Sequence, residues 1–249
     1  LLSAIILPPV LGLDPYAVSP RNRLQGPAAT FWLGTDNLGR DLFARILVGA
    51  RTSFFIAGQA ALLASALGAA IGIVAAYFPA LDGLLMRICD GLLAIPGVIL
   101  AVALSAVLGF GPSAVVLALA IVFTPSIART VRSRALAVKR ESFVEASEVA
   151  GAGAFHIMWK HIFPNTISVL AVQAIFFFAD AIITEAALSF LGAGVPIPEP
   201  SWGNILADGK GVISRGPHMI MFTSASLIVT VVALNLLADG LRDLVERRR

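Results

Sequence analysis

The chain of 249 residues is 58% hydrophobic and 13% charged, with a mean hydropathy of +0.89. Soluble domains carry nearly twice that charged fraction, so the composition excludes one. A net charge of +3, with basic residues flanking apolar runs and no interleaved aromatics, argues against nucleic acid as a partner, and the single Cys89 excludes an internal disulfide.

In chain order, the first ten residues are apolar but would span only about 15 Å as a helix, half of a bilayer's hydrocarbon core. Residues 1–12 are therefore expected to be a truncated first transmembrane helix. Residues 13–51 form a polar connection rich in turn formers (Asp14-Pro15, Ser19-Pro20, Gly26-Pro27). Near its end Leu42, Phe43, Ile46 and Leu47 share one helical face, with the arginines mostly off it. That pattern predicts an interfacial helix leading into the membrane.

Thr52 to Phe78 reads as the first complete span. Ala64, Gly68, Gly72 and Ala76 recur at every fourth position, a small-residue stripe that lets another helix approach closely. Pro79 to Asp90 is expected to be a short link, and Gly91 to Leu108 the second span, kinked at Pro96-Gly97. The third runs from Ser113 to Ala128 with a bend at Pro125, the fourth from Thr166 to Leu191, and the last from Pro217 to Leu237. The whole is thus an all-α, polytopic membrane helix bundle with five full spans. If the Arg129–Lys160 segment faces the cytoplasm, eleven of the 18 Lys and Arg fall on that side, as the positive-inside rule requires. Five arginines in the first loop run against that bias.

Between Arg129 and Asn165 the sequence turns charged and punctuated. Ser142 and Glu145 stand in S-x-x-E register, which predicts a capping box, and Gly151 supplies a left-handed stop. The enclosed helix, Phe143 to Ala150, has about two turns and is too short to stand alone. Contact elsewhere must hold it, through Phe143, Val144, Ala146 and Val149. The run Ala-Gly-Ala-Gly-Ala at 150–154 then permits a reversal into a second short helix, expected to end before Pro164.

The order Glu145-Ala146, Gly151 six positions after the Glu, then His161 and Pro164 resembles the EAA loop of ABC importer permeases. Ser147 replaces the second Ala of that pattern, and His161 and Phe163 stand where many members have Ile and Leu. Two further segments resemble the dipeptide/oligopeptide/nickel branch, in its second-type subunit. They are Trp32-Leu-Gly-Thr-Asp36-Asn-Leu-Gly39-Arg40-Asp41, continuing to Arg45 and Gly49-Ala50-Arg51, and Glu185-Ala-Ala-Leu-Ser-Phe-Leu-Gly192. The resemblance implies the type I importer fold, with residues 52–240 as the permease region, loop 129–165 as its cytoplasmic coupling loop and 241–249 as a basic cytoplasmic tail. It also implies a multi-pass protein of the bacterial cytoplasmic membrane, one half of a heterodimeric pathway surrounded by lipid. Two ATP-binding cassette subunits and an extracytoplasmic solute-binding protein would complete the importer. Ser142, Phe143, Glu145, Ala146, Val149, Gly151, His161 and Pro164 would then form the ATPase-coupling site.

The chain has no G-x-x-x-x-G-K-[ST], since Gly209-Lys210-Gly211 lacks both flanks of that motif. ATP and Mg are therefore expected on partner subunits, with no cofactor on this chain. His156, His161 and His218 show no metal-ligand grouping, and no nucleophile–base pair supports an enzyme. Asp180 and Glu185 lie inside the fourth span, where ionisable groups are functional candidates. At five residues' separation they point about 140° apart, so they cannot form a simple pair, and either could face a translocation path. Glu185 could equally hold another helix. The solute expected from the resemblance is a di- or oligopeptide. The alternatives are nickel or another small solute, or an ion-gradient-driven transporter using the two carboxylates.

Overall fold

The computed structural model describes residues 12–246. The expected first helix and the last three arginines of the tail lie outside the described residues. Among the described residues there is no strand, and eight helices carry the fold.

Helix α1 (Leu42–Tyr77) begins where Asp41 caps it, its Oδ1 accepting the N–H groups of Phe43 and Ala44. The expected separate interfacial helix is therefore absent. Its residues are the first turns of a 36-residue helix, because no Pro interrupts the run after the cap and Gly49 stays helical where it packs against the Ser201–Trp202 backbone. The arginines are not off the packed face either, since Arg40 and Arg45 are both buried.

The region expected to be a short link is helix α2 (Pro79–Leu93), started by Pro79 at its first position. That is a favourable site for proline, because the N–H it lacks has no intrahelical partner there. Helix α3 (Gly97–Leu108) follows at 95° to α2. Pro96 sits just before α3 with extended backbone, so the expected kink is a full break. Ion pairs Asp82–Arg132 and Asp90–Arg129 fasten α2 to α4 (Pro112–Lys139).

Helices α1 and α4 run parallel through the centre. A methyl group on Gly68 would lie 2.6 Å from Ile127, and one on Gly72 2.6 Å from the Ala128 carbonyl. The small-residue stripe thus works as expected: only hydrogen allows the backbones so close. Lipid offers no hydrophobic drive between helices, so this contact and the polar ties carry the association. Lys139 donates to the Tyr77 carbonyl at 2.8 Å and closes the same end of both helices.

After α5 (Ser142–Val149) comes α6 (Ala154–Phe190), a single helix of 37 residues. The expected stop before Pro164 does not occur. Residues Ile157–Ile162 form a π-helical turn, in which Phe163 donates to Met158 five residues back. The wider turn accommodates the proline ring, and Asn165 Nδ2 donates to the His161 carbonyl at 2.7 Å. Such insertions let a helix continue where proline would end it. Helices α7 (Trp202–Lys210) and α8 (Pro217–Glu246) complete the chain. Four helices are long and apolar enough to cross a membrane, and the bent α2–α3 pair makes up to five.

The core has two centres. One gathers Leu42, Ile46, Ile56, Leu119, Ile182, Trp202 and Met219 near the start of α1. The other gathers Ile73, Ile127, Val131, Val138, Val144, Ile157 and Ile162 near α5.

Candidate coupling site and membrane carboxylates

The predicted capping box is not formed. Glu141, not Ser142, is the N-cap residue, and no side chain caps the helix. The Glu141 carbonyl accepts from Val144 at 2.9 Å and Glu145 at 3.2 Å. Ser142 is thus already inside the first turn, one position too late for its hydroxyl to cap.

The C-terminus matches the expectation. Gly151 has φ +83°, Ala152 donates to the Ser147 carbonyl at 3.0 Å, and Gly151 to that of Glu148 at 2.9 Å. These two bonds form a Schellman motif, in which a residue in left-handed conformation closes the helix. Open space surrounds the position a Gly151 Cβ would take, so the requirement for glycine there is conformational.

Within α5 only Val144 is buried, at 0% exposure. It anchors the helix into the second core centre beside Val138, Ile157 and Ile162. His161 supplies the second anchor. Its Nε2 is hydrogen-bonded with Ser147 Oγ at 3.2 Å, and its ring lies 5.9 Å from that of Phe143. Ser147 and His161 are two of the positions that depart from the family pattern, and the structure pairs them. Glu145, Ala146, Val149 and Gly151 are exposed, as is Pro164 on α6. Val149 stands out at 90% exposure. The sequence suggested that Phe143, Val144, Ala146 and Val149 together hold the helix. Instead Val144 and the Ser147–His161 bond hold it, and Val149 is presented outward. The signal for Ser147 was the coincidence of two departures from one pattern.

The membrane carboxylates face different surroundings. Asp180 is exposed, and its side chain makes no hydrogen bond or ion pair among the described residues. Glu185 is fully buried. Its Oε1 accepts from Ser189 Oγ at 2.7 Å, and the hydroxyls of Ser53 and Ser201 lie close to the carboxylate. The Ser189 oxygen in turn accepts the Val195 N–H at 3.1 Å, while Asn204 Nδ2 donates to the Val195 carbonyl at 2.9 Å. Glu185 thus sits at the junction of α6, the following loop and α7.

At this same end lies a cluster that the sequence did not reveal. Asp36 Oδ2 pairs with Arg40 Nε at 2.6 Å and with a terminal nitrogen of Arg45 at 3.2 Å. Asp208 of α7 reaches the same arginines at 3.4 and 3.6 Å. Burial pushes the Asp208 carboxyl above its ordinary pKa, against the pull of the arginines. Two of the five first-loop arginines that opposed the charge bias are therefore neutralised internally. Trp202 Nε1 donates to the Ile46 carbonyl at 3.1 Å, fixing α7 against α1 a second time.

Residues 68–249 match the family of binding-protein-dependent transport system inner membrane components. The chain belongs to that family. A permease of Brucella suis biovar 1 named for peptide transport is 42% identical over 99% of this chain and 83% of its own length. The dipeptide transport system permease protein of Alkalihalophilus pseudofirmus is 39% identical over 97% of this chain and 80% of its own. A glutathione transport system permease of Pectobacterium atrosepticum is 40% identical, covering 89% and 74% respectively. In fold, the chain resembles the inward-facing MetNI methionine ABC transporter, with a TM-score of 0.67 at 20% identity over 81% of this chain and 95% of that one. The protein is thus a multi-pass permease subunit of the bacterial inner membrane, part of a binding-protein-dependent importer. Family membership implies ATPase and binding-protein partners. It leaves the ion-gradient alternative without support.

Proposed function

We propose that this permease imports di- or oligopeptides as one half of a heterodimer with a homologous permease. Two ATP-binding cassette subunits would bind ATP and Mg, and an external binding protein would deliver the solute. The named substrates of the relatives, peptides, dipeptides and glutathione, support the peptide reading. In this reading α5 is the coupling helix and sits in a cleft of the ATPase. The observation that carries it is the way α5 is held: on one buried residue and one hydrogen bond, with Val149 exposed. An isolated two-turn helix is unstable in water, so a helix fixed in this manner suits a docking element. Closure of the ATPase dimer would push on it and tilt α4 and α6, which flank it. The ATP state acts only through its different affinity for the two permease conformations.

Gly151→Leu tests the assignment. The left-handed conformation disfavours a side chain there, so the end of the plug would be redirected. ATPase co-purification and binding-protein-stimulated hydrolysis should both fall; survival of both would sink the coupling role. Asp180 is assigned to the translocation path because a lone exposed carboxylate on an apolar helix needs water or a polar partner. Asp180→Asn should reduce transport with assembly intact, and unchanged transport would remove the assignment. Glu185, tied into the α6–α7 junction, is assigned a structural role. Glu185→Gln should keep transport, whereas Glu185→Leu should weaken assembly.

A further inference from the structure

A shallow groove of about 520 Å³ lies between α4 and α6, lined by Arg129, Thr130, Ser133, Arg134, Ala137 and Val169. Of the arginines in this part of α4, Arg132 is engaged with Asp82 and Arg129 with Asp90. Arg134 spends only its Nε, on the Asn165 carbonyl at 3.3 Å. Among the described residues no carboxylate pairs with it, so the two-nitrogen edge that grips carboxylates remains available. Ser133 is exposed beside it and can add a hydroxyl donor.

The orientation of α6 indicates what this groove opens onto. Val169 and Asp180 are eleven residues apart, which places them about 20° apart around the helix and about 16 Å apart along it. They share one face. A lone carboxylate argues against lipid along that face, and so for a polar space shared by Asp180 and the groove.

We propose that the Arg129–Arg134 groove is an anion site at the inner mouth of the pathway, receiving the terminal carboxylate of a departing short peptide. Arg134 grips the carboxylate, Ser133 donates to it, and Arg129 adds positive charge shared with Asp90. Asp180, about 16 Å further out on the same face, attracts the ammonium end, so each end of a zwitterionic peptide meets its complement in turn. The inference rests on the peptide-importer reading.

The test uses the whole complex in nanodiscs of zwitterionic lipid without ATP. Phenylglyoxal modification of Arg134 is followed by mass spectrometry with millimolar trialanine or its C-terminal amide present. Trialanine should slow modification several-fold and the amide should not. In vesicles, Arg134→Gln should lower trialanine import about tenfold, the loss expected for one charge-assisted contact, with Arg134→Lys in between. Equal protection by acid and amide, or unimpaired import by Arg134→Gln, would overturn the site while leaving the importer reading intact. Protection by added phosphatidylglycerol alone would also overturn it and assign the groove to lipid. A wild-type complex that imports no peptide would bring down the importer reading itself, and this inference with it.

Discussion

At one end of the bundle, where α7 meets the start of α1, Asp36, Arg40, Arg45 and Asp208 close on one another, and Trp202 is hydrogen-bonded to the α1 backbone. At the opposite end, α5 rests on Val144 and one Ser147–His161 bond, with most of its surface open. Both ends contain charged residues near a membrane boundary, yet one spends its charges on itself and the other leaves its surface for something else. Internal pairing makes a region stiff and leaves it little to offer a partner. An element with one buried anchor and a fixed turn keeps its orientation while most of its surface stays free. In the proposed coupling, that asymmetry would let a push on α5 move helices against the closed α1–α7 end.

The comparison breaks most visibly at Asp36. This carboxylate has no exposure and holds both arginines, so Asp36→Ala leaves two guanidinium groups buried without it. A loss of about 3–5 kcal/mol is expected, measured as a lower unfolding temperature of the purified complex. A second, smaller effect belongs to the α5 end. Gly151→Ala should cost about 1–2 kcal/mol from the left-handed backbone alone. Asn tolerates that conformation better, so Gly151→Asn should recover part of the loss and of the stimulated ATP hydrolysis.

Asp208→Asn should shift stability by no more than about 1 kcal/mol in either direction, because its contacts are long and partly open to water and burial offsets them. Burial raises its folded-state pKa. Its contribution is therefore present below the ordinary carboxylate value and fades as pH rises through the folded-state value. Mild acidification should not loosen α7 through this residue, which hydrogen exchange of α7 amides can check. The smallest effect is expected at Ser142→Ala, within about 0.5 kcal/mol, because the hydroxyl caps nothing. A drop near 1 kcal/mol, the usual worth of an N-cap, would restore the capping box. Val149→Asp should leave stability equally untouched but weaken ATPase co-purification, which is the sharpest contrast with Asp36.

Much of the architecture was legible from periodicity. The apolar runs of α1, α4, α6 and α8, the Ala64–Ala76 stripe and the Gly151 stop each depend on neighbours in sequence, and each appears where it was expected. The misreadings arose where local punctuation was outweighed. Pro164 should end a helix, but a π turn and the Asn165 side chain absorb it. Ser142 and Glu145 have capping-box spacing, but the turn from α4 starts the helix one residue earlier, at Glu141. Arg40 and Arg45 read as lying off the packed face, but Asp208, more than 160 positions away, folds beside them and they are buried.

The amino-acid sequence alone determined that this protein lives in a membrane, where its four long apolar helices lie, and which short polar helix it holds apart, because these follow from composition and spacing along one strand of chain. Only the tertiary structure decided which arginines are neutralised, that Ser147 meets His161, and that Asp180 is open while Glu185 is enclosed. Those outcomes depend on contacts between distant segments, and no local pattern encodes the distance between two helices.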